Sequence, residues 1–211
     1  MERPGNVKEY IAIQRNAIAA NPECGTSHYN LAVALLGLRQ YEEAENELHR
    51  AIECSPGLAE AYVQLGGVCL MRGDLDQCLE YNKQAVKVKP GFSEGYGNIG
   101  FVHMQKGNID EAIKALERAT AFNFRFIQAF TTLANAYLMK GQKESIKSNK
   151  KALELDGNFA VAHNNIAVAY LENKDIEKAI WHCDKAIELG YDVPPGLIKE
   201  LEPYRKKESQ T

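Results

Sequence analysis

Apolar residues recur along the chain at helical spacing, pause, and recur again. Over Ala61–Leu70, the residues Tyr62, Leu65, Gly66 and Cys69 fall at i, i+3, i+4 and i+7, one stripe of a helix. Arg72-Gly73-Asp74 interrupts it with a glycine suited to end a helix and an aspartate suited to cap the next. A second helix is predicted from Leu75 to Lys89, polar on its outer face and stopped by Pro90-Gly91. The unit then repeats. Leu31, Leu65, Ile99, Leu133 and Ile166 stand in step, as do Ala32, Gly66, Gly100, Ala134 and Ala167, and Ala51, Ala85, Ala119, Ala152 and Ala186. Five copies of a ~34-residue helix pair follow from this pattern. No stretch alternates with the period of two that marks a strand.

The small residues in each copy let paired helix backbones approach closely. Gly66, Cys78 and Ala85 hold these places in one copy, Ala32, Ala44 and Ala51 in the copy before, and Gly100, Ala112 and Ala119 in the copy after. The pattern resembles the tetratricopeptide repeat (TPR) family, whose signature is carried here by Tyr96, Ile99-Gly100, Ala112, Leu116 and Ala119. His103 and Phe124 stand where the family prefers Tyr and Pro. The resemblance covers roughly residues 23–191 and implies an all-α, right-handed α-α superhelix, a solenoid of five helix-turn-helix repeats. The repeats would span about 25–58, 59–92, 93–126, 127–159 and 160–193.

The ends differ. Tyr10, Gln14, Ala17 and Pro22 lie in register with Ala44, Leu48, Ala51 and Pro56, so residues 1–22 read as a half-repeat. Its second helix, Val7–Ala20, has lost its first, and Met1–Asn6 is too short to supply one; Ile11, Ile13 and Ile18 are expected to be only partly covered. Residues 194–211 read as a capping helix opened by Pro194-Pro195, with Leu197, Leu201 and Tyr204 on one face and a frayed tail from Lys207 to Thr211.

Two departures break the repeat. The fourth copy is one residue short, which predicts a tighter turn at Gly141-Gln142-Lys143 and places Ser145 in the small-residue position. Between the third and fourth copies, Phe122-Asn123-Phe124-Arg125-Phe126 replaces a proline-containing link, and these aromatics are expected to pack into the turn, an exposed docking patch being the alternative.

The charge balance narrows the function. A net charge of -3 and a pI near 6.0 argue against nucleic-acid binding. No apolar run reaches the ~20 residues of a membrane span. Without an apolar segment after Met1, a cytoplasmic location is expected, with no membrane insertion. The five cysteines show no metal or disulfide spacing, and Cys69, Cys78 and Cys183 occupy core positions. His28 and His163 take the aromatic core place, and His49 and His182 lack metal-ligand spacing. With no phosphate loop and no acid–base pair, neither an enzyme nor a bound cofactor or metal is expected. Lys143, Lys147, Lys150 and Lys151 read as a solvated outer face.

What remains is binding. Ala61/Val68, Gly95/Val102, Ala129/Ala136 and Ala162/Ala169 are expected to pack on the next unit, leaving a third stripe on each first helix. It runs Tyr29/Val33/Leu36, Val63/Gly67/Leu70, Gly97/Phe101/Met104, Thr131/Asn135/Leu138 and Asn164/Val168/Leu171, and the resemblance implies that it faces a concave groove. Asn30, Gln64, Asn98, Thr132 and Asn165 form a column at its edge, able either to hold a peptide backbone or simply to face water. No lysine or arginine takes the places used by family members that clamp chaperone C-termini. The expectation is a non-catalytic adaptor binding an extended or helical peptide through Asn30, Gln64, Asn98, Phe101, Met104, Asn135, Leu138, Asn165 and Val168. The alternative is a self-assembling scaffold, a homo-oligomer in which the N-terminal helix docks on neighbouring copies.

Overall fold

The computed structural model describes residues 7–141 and 143–208, which hold twelve α-helices and no strand. They are α1 (Val7–Ala20), α2 (Gly25–Gly37), α3 (Tyr41–Cys54), α4 (Ala59–Met71), α5 (Leu75–Val88), α6 (Ser93–Gln105), α7 (Ile109–Phe122), α8 (Ile127–Met139), α9 (Glu144–Leu155), α10 (Ala160–Glu172), α11 (Ile176–Glu188) and α12 (Pro195–Glu208). The all-α class expected from the repeat is the one found. Two compact units divide the chain, Met1–Val102 and His103–Thr211. The segment Met1–Asn6, Gln142 of the shortened turn and residues 209–211 of the expected tail lie outside the described residues. Lys207 and Glu208, expected in that tail, are helical.

The turns within helix pairs share one device. Gly73 ends α4 with φ +78°, and Asp74 caps α5 by accepting a hydrogen bond from the Gln77 N–H at 2.9 Å. Gly107 and Gly141 hold the same left-handed position in the second unit, at φ +75° and +65°. Two other turns reach that conformation without glycine, at Arg39 (φ 60°) and Lys174 (φ 61°). After Gly141 the shortened turn departs from the rest. Lys143 caps α9 in the helical region (φ -65°, ψ -18°), whereas Gln40, Asp74, Asn108 and Asp175 cap their helices with positive ψ.

In the first unit, Leu31, Leu35, Leu48, Ala51, Leu65 and Val68 form one buried cluster that also takes in Ile11 of α1. Ile18 packs against it, but Ile13 is 51% exposed. Close backbone approach depends on glycine at two places. A Cβ on Gly66 would lie 2.4 Å from Nδ2 of Asn82, and one on Gly25 would lie 2.8 Å from the carbonyl oxygen of Ala51. Gly95 corrects the expected direction of stacking. Its missing side chain faces Val86 and the Asn82 carbonyl on α5, so this small-residue face of α6 meets the preceding helix pair rather than the next. Cys69 and Cys78 are buried, as expected of core cysteines.

In the second unit, Leu116, Ile166, Cys183 and the register alanines are buried, and Ser145 takes the small-residue place in α9. At the C-terminal end Leu197 and Leu201 pack on Ala179, Cys183 and Ala186, while an Arg205–Asp184 ion pair at 2.5 Å ties α12 to α11. Tyr204, expected on the same face, is exposed instead. The link after α7 also departs from expectation: Phe122 and Phe124 are 54% and 73% exposed. Asn123 explains the turn without them, because its side chain accepts the Arg125 N–H at 3.0 Å, an Asx turn that needs no aromatic filling.

Candidate functional site

The residues expected to bind a partner fall in two sets, one on each unit. On the first, Asn30 and Val33 of α2 line a cleft of about 460 Å³ together with Tyr29, Leu38 and, from α1, Val7 and Tyr10. The walls are almost entirely apolar, and Asn30 has no side-chain hydrogen bond among the described residues, so its amide is available to a ligand backbone. Gln64 of α4 is hydrogen-bonded to Tyr29, whose phenol is pushed above its ordinary pKa by burial first and by the charge of Glu60 second. Phe101 of α6 is exposed.

Asn98 has a different employment. Its Nδ2 donates to Oδ1 of Asn82 at 3.0 Å, and Asn82 is fully buried on α5 with its own Nδ2 donating to the Cys78 carbonyl at 2.8 Å. The pair joins two neighbouring helices through side-chain amides inside the core. The sequence reading missed Asn82, although the same register position holds Leu48 in α3 and Leu116 in α7, and an amide in a leucine place was the available signal.

On the second unit, Met104, Asn135, Leu138 and Val168 are half-buried. Thr132, in register with the amides, turns its hydroxyl back to donate to the Gln128 carbonyl at 2.7 Å. Asn165 is 8% exposed, too enclosed to grip a peptide as the structure stands. Its Oδ1 accepts from Nδ2 of Asn164 at 3.4 Å. Asn149 of α9 repeats the position of Asn82 and donates to the Ser145 carbonyl at 3.3 Å. Val168, Leu171, Pro194 and Leu197 line a smaller hollow of about 330 Å³. The column of polar residues is therefore not uniform: Asn30 and Asn135 are half-buried without a side-chain hydrogen bond among the described residues, Gln64 and Asn98 are bonded within the first unit, and Thr132 and Asn165 are turned inward.

The two histidines in the aromatic core place are hydrogen-bonded rather than merely packed. His28 Nε2 lies 2.9 Å from the Pro22 carbonyl and its Nδ1 2.5 Å from the Glu47 carboxylate. His163 repeats the first contact with the Gly157 carbonyl and meets His182 with its Nδ1. No described helix is long and apolar enough to cross a membrane.

Models of the tetratricopeptide repeat match residues 25–58, 93–125 and 149–180. The TPR repeat-containing thioredoxin TTL4 of Arabidopsis thaliana is 34% identical over 76 residues, which is 36% of this chain and 11% of that protein. The BBSome complex member BBS4 of Bos taurus is 30% identical over 80 residues, 38% of this chain and 15% of that protein. Only a small part of each curated relative is therefore spanned. Among solved structures, YrrB, a TPR protein with an unusual peptide-binding site, superposes with a TM-score of 0.71 at 22% identity, covering 91% of this chain and 97% of that one. The pilF protein of Pseudomonas aeruginosa gives 0.77 at 17% identity, covering 89% and 87%. MamA of Desulfovibrio magneticus RS-1 gives 0.69 at 22%, covering 79% and 94%. These likenesses establish the fold. Repeat register, helix pairing and family match agree, and the chain is a tetratricopeptide repeat protein.

Proposed function

We propose that the chain is a non-catalytic, cytoplasmic adaptor that holds a peptide segment of a partner protein on the faces of its first helices, and that it is not a clamp for chaperone C-termini. The observation that carries this reading is the apolar cleft beside Asn30. It combines open hydrophobic walls with an amide free to bond a peptide backbone, the mixture by which grooves anchor a side chain and orient a main chain. That a similar fold in YrrB carries a peptide-binding site adds support. Asn135, Leu138 and Phe101 offer further contacts of the same kind, whereas Asn98 and Asn165 serve the core first.

The test is capture of partners from source-cell lysate by the full chain, beside an Asn30→Ala/Val33→Asp variant and an Asn135→Ala variant, with mass spectrometry of the retained proteins. Val33 and Asn30 are not core residues, so the variants keep the fold. A partner held by the native chain and lost by Asn30→Ala/Val33→Asp supports the reading; identical captures by all three baits reject it.

Ile13 favours a second reading. A half-exposed isoleucine on α1 offers an apolar surface to a neighbouring copy. Ile13→Glu should then lower the molecular mass measured in solution, and equal masses for both proteins rule this association out.

A further inference from the structure

The second helix of each pair carries a stripe that its own first helix covers. In α5 the stripe is Cys78, Asn82 and Ala85, and Gly66 of α4 approaches so closely that a Cβ there would lie 2.4 Å from Nδ2 of Asn82. The same places hold Ala44, Leu48 and Ala51 in α3, and Ala112, Leu116 and Ala119 in α7. They hold Ser145, Asn149 and Ala152 in α9, and Ala179, Cys183 and Ala186 in α11. No residue of these stripes is more than 1% exposed. In α1 the stripe is Tyr10, Gln14 and Ala17, and all three are only half-buried. Within the first unit only α2 packs closely against α1.

Asn82 is met from two sides, by Gly66 of its own first helix and by Asn98 of the next. For α1 the next first helix is α2, with Asn30 in the place of Asn98. Between Tyr10 and Asn30 opens the cleft of about 460 Å³ walled by Val7, Tyr29, Val33 and Leu38. These walls return little to a ligand backbone beyond the Asn30 amide and the Tyr10 hydroxyl. An extended segment brings unpaired N–H and C=O groups that such walls leave unsatisfied. A helix bonds those groups internally and needs only apolar contact.

We propose that the occupant of this cleft is an amphipathic α-helix of a partner protein, lying against α1 and α2 as a first helix lies against its second. The inference rests on the reading of the cleft as a peptide site and adds the conformation of the peptide. Tyr10 stands where the other second helices carry Ala, Cys or Ser, so its ring holds the arriving backbone away from α1. Large apolar side chains at i, i+3, i+4 and i+7 of the occupant fill the space so kept open. The first helices of a second copy have no such stripe to lend, because Leu31, Leu65, Ile99, Leu133 and Ile166 are all buried within the chain. Leu197 and Leu201 of α12 are likewise taken by α11.

The probe is a fluorescein-labelled peptide, acetyl-Glu-Ala-Leu-Glu-Lys-Leu-Leu-Lys-Ala-Leu-Glu-Lys-amide, titrated with the full chain and followed by fluorescence anisotropy. Its leucines form one helical stripe. The control peptide has proline for the second alanine, which keeps every leucine and breaks the helix. The native chain should bind the probe, raise its helicity in circular dichroism, and bind the control roughly tenfold more weakly or worse. Val7→Asp and Asn30→Ala/Val33→Asp should each weaken probe binding by roughly tenfold, while Phe124→Ser, in the second unit, leaves it unchanged. Val7 is 48% exposed in the first turn of α1, where a carboxylate suits the helix, so Val7→Asp keeps the fold. Absence of binding by the native chain, native affinity in Val7→Asp, or equal loss in Phe124→Ser overturns the proposal. So does self-association of the native chain that Val7→Asp abolishes, since the occupant would then be a second copy. Equal binding of probe and control, lost in Asn30→Ala/Val33→Asp, rejects the helix and leaves the cleft a peptide site.

Discussion

His163 and His182 meet Nδ1 to Nδ1 at 2.9 Å, and only one arrangement of protons satisfies every contact of the neutral pair. His163 Nε2 faces the Gly157 carbonyl at 3.3 Å and must carry a hydrogen there. Its Nδ1 is then an acceptor, so His182 donates from its own Nδ1. Tyr170 stacks on His182 with ring centroids 5.7 Å apart, which closes one side of the imidazole to water. Burial pushes the His182 pKa down from 6.5 to about 4, with the charges of His163 and Lys150 acting in the same direction.

The sign of the resulting pH dependence follows. Between pH 6.5 and about 4 the unfolded chain binds a proton at His182 that the folded chain refuses, so acid favours unfolding across that window. The contribution of His182 should be constant above pH 6.5, turn against the fold as pH drops toward 4, and be constant below. His182→Gln should reduce this loss. Urea denaturation of both proteins at pH 7 and pH 5 measures it; a native chain equally stable at the two values contradicts the assignment.

Arg39 and Lys174 occupy the left-handed position that glycine holds at Gly73, Gly107 and Gly141. A side chain in that region costs roughly 1–2 kcal/mol, part of which glycine returns as unfolded-chain entropy. Arg39→Gly and Lys174→Gly should each raise the melting temperature by about 2–4 °C. Gly73→Val should lower it. Calorimetry on the three variants checks the direction of each.

Asn98→Ala leaves Oδ1 of Asn82 buried without its donor and should destabilise the chain by about 1–3 kcal/mol. Adding Asn82→Leu, the residue type found at Leu48 and Leu116, should recover much of that loss. Additive losses in the double variant, read by urea denaturation, would mean that the two amides are not coupled.

Two glycine replacements separate packing from backbone entropy. Gly25→Ala drives a methyl group to 2.8 Å from the Ala51 carbonyl and 2.4 Å from Ser55 Oγ, and should cost about 1–3 kcal/mol. Gly67→Ala, inside α4 with nothing within 4 Å, should stabilise by about 0.5–1 kcal/mol. Thermal unfolding of both variants should show shifts of opposite sign.

The helix pairing was legible because it rests on period and on local chemistry. Val7–Ala20 is helical throughout, and Gly73 with Asp74 makes the turn its sequence specifies. What could not be read depends on contacts distant in sequence. Asn98 looks like any surface amide until Asn82 is seen opposite it, and Asn165 looks equivalent to Asn30 until one is enclosed and the other borders a cleft. Phe124 misled for a physical reason: hydrophobicity alone suggests burial, but the Asx turn at Asn123 is closed by a side-chain hydrogen bond and leaves the ring 73% exposed. Arg39 and Lys174 gave no signal, since neither residue type announces a left-handed turn.

The amide pair of Asn82 and Asn98 also limits how this chain could have been assembled from its parts. Leucine at that place tolerates any apolar neighbour, but a buried amide accepts only a following helix that returns its hydrogen bond. The pair α4–α5 is therefore not interchangeable with α2–α3, where Leu48 stands in the same position. Duplicating it would set Gln64, one methylene longer, opposite Asn82 in place of Asn98. The buried amide asks its neighbour for a donor of the right reach, a demand that the alanines and leucines of the core do not make.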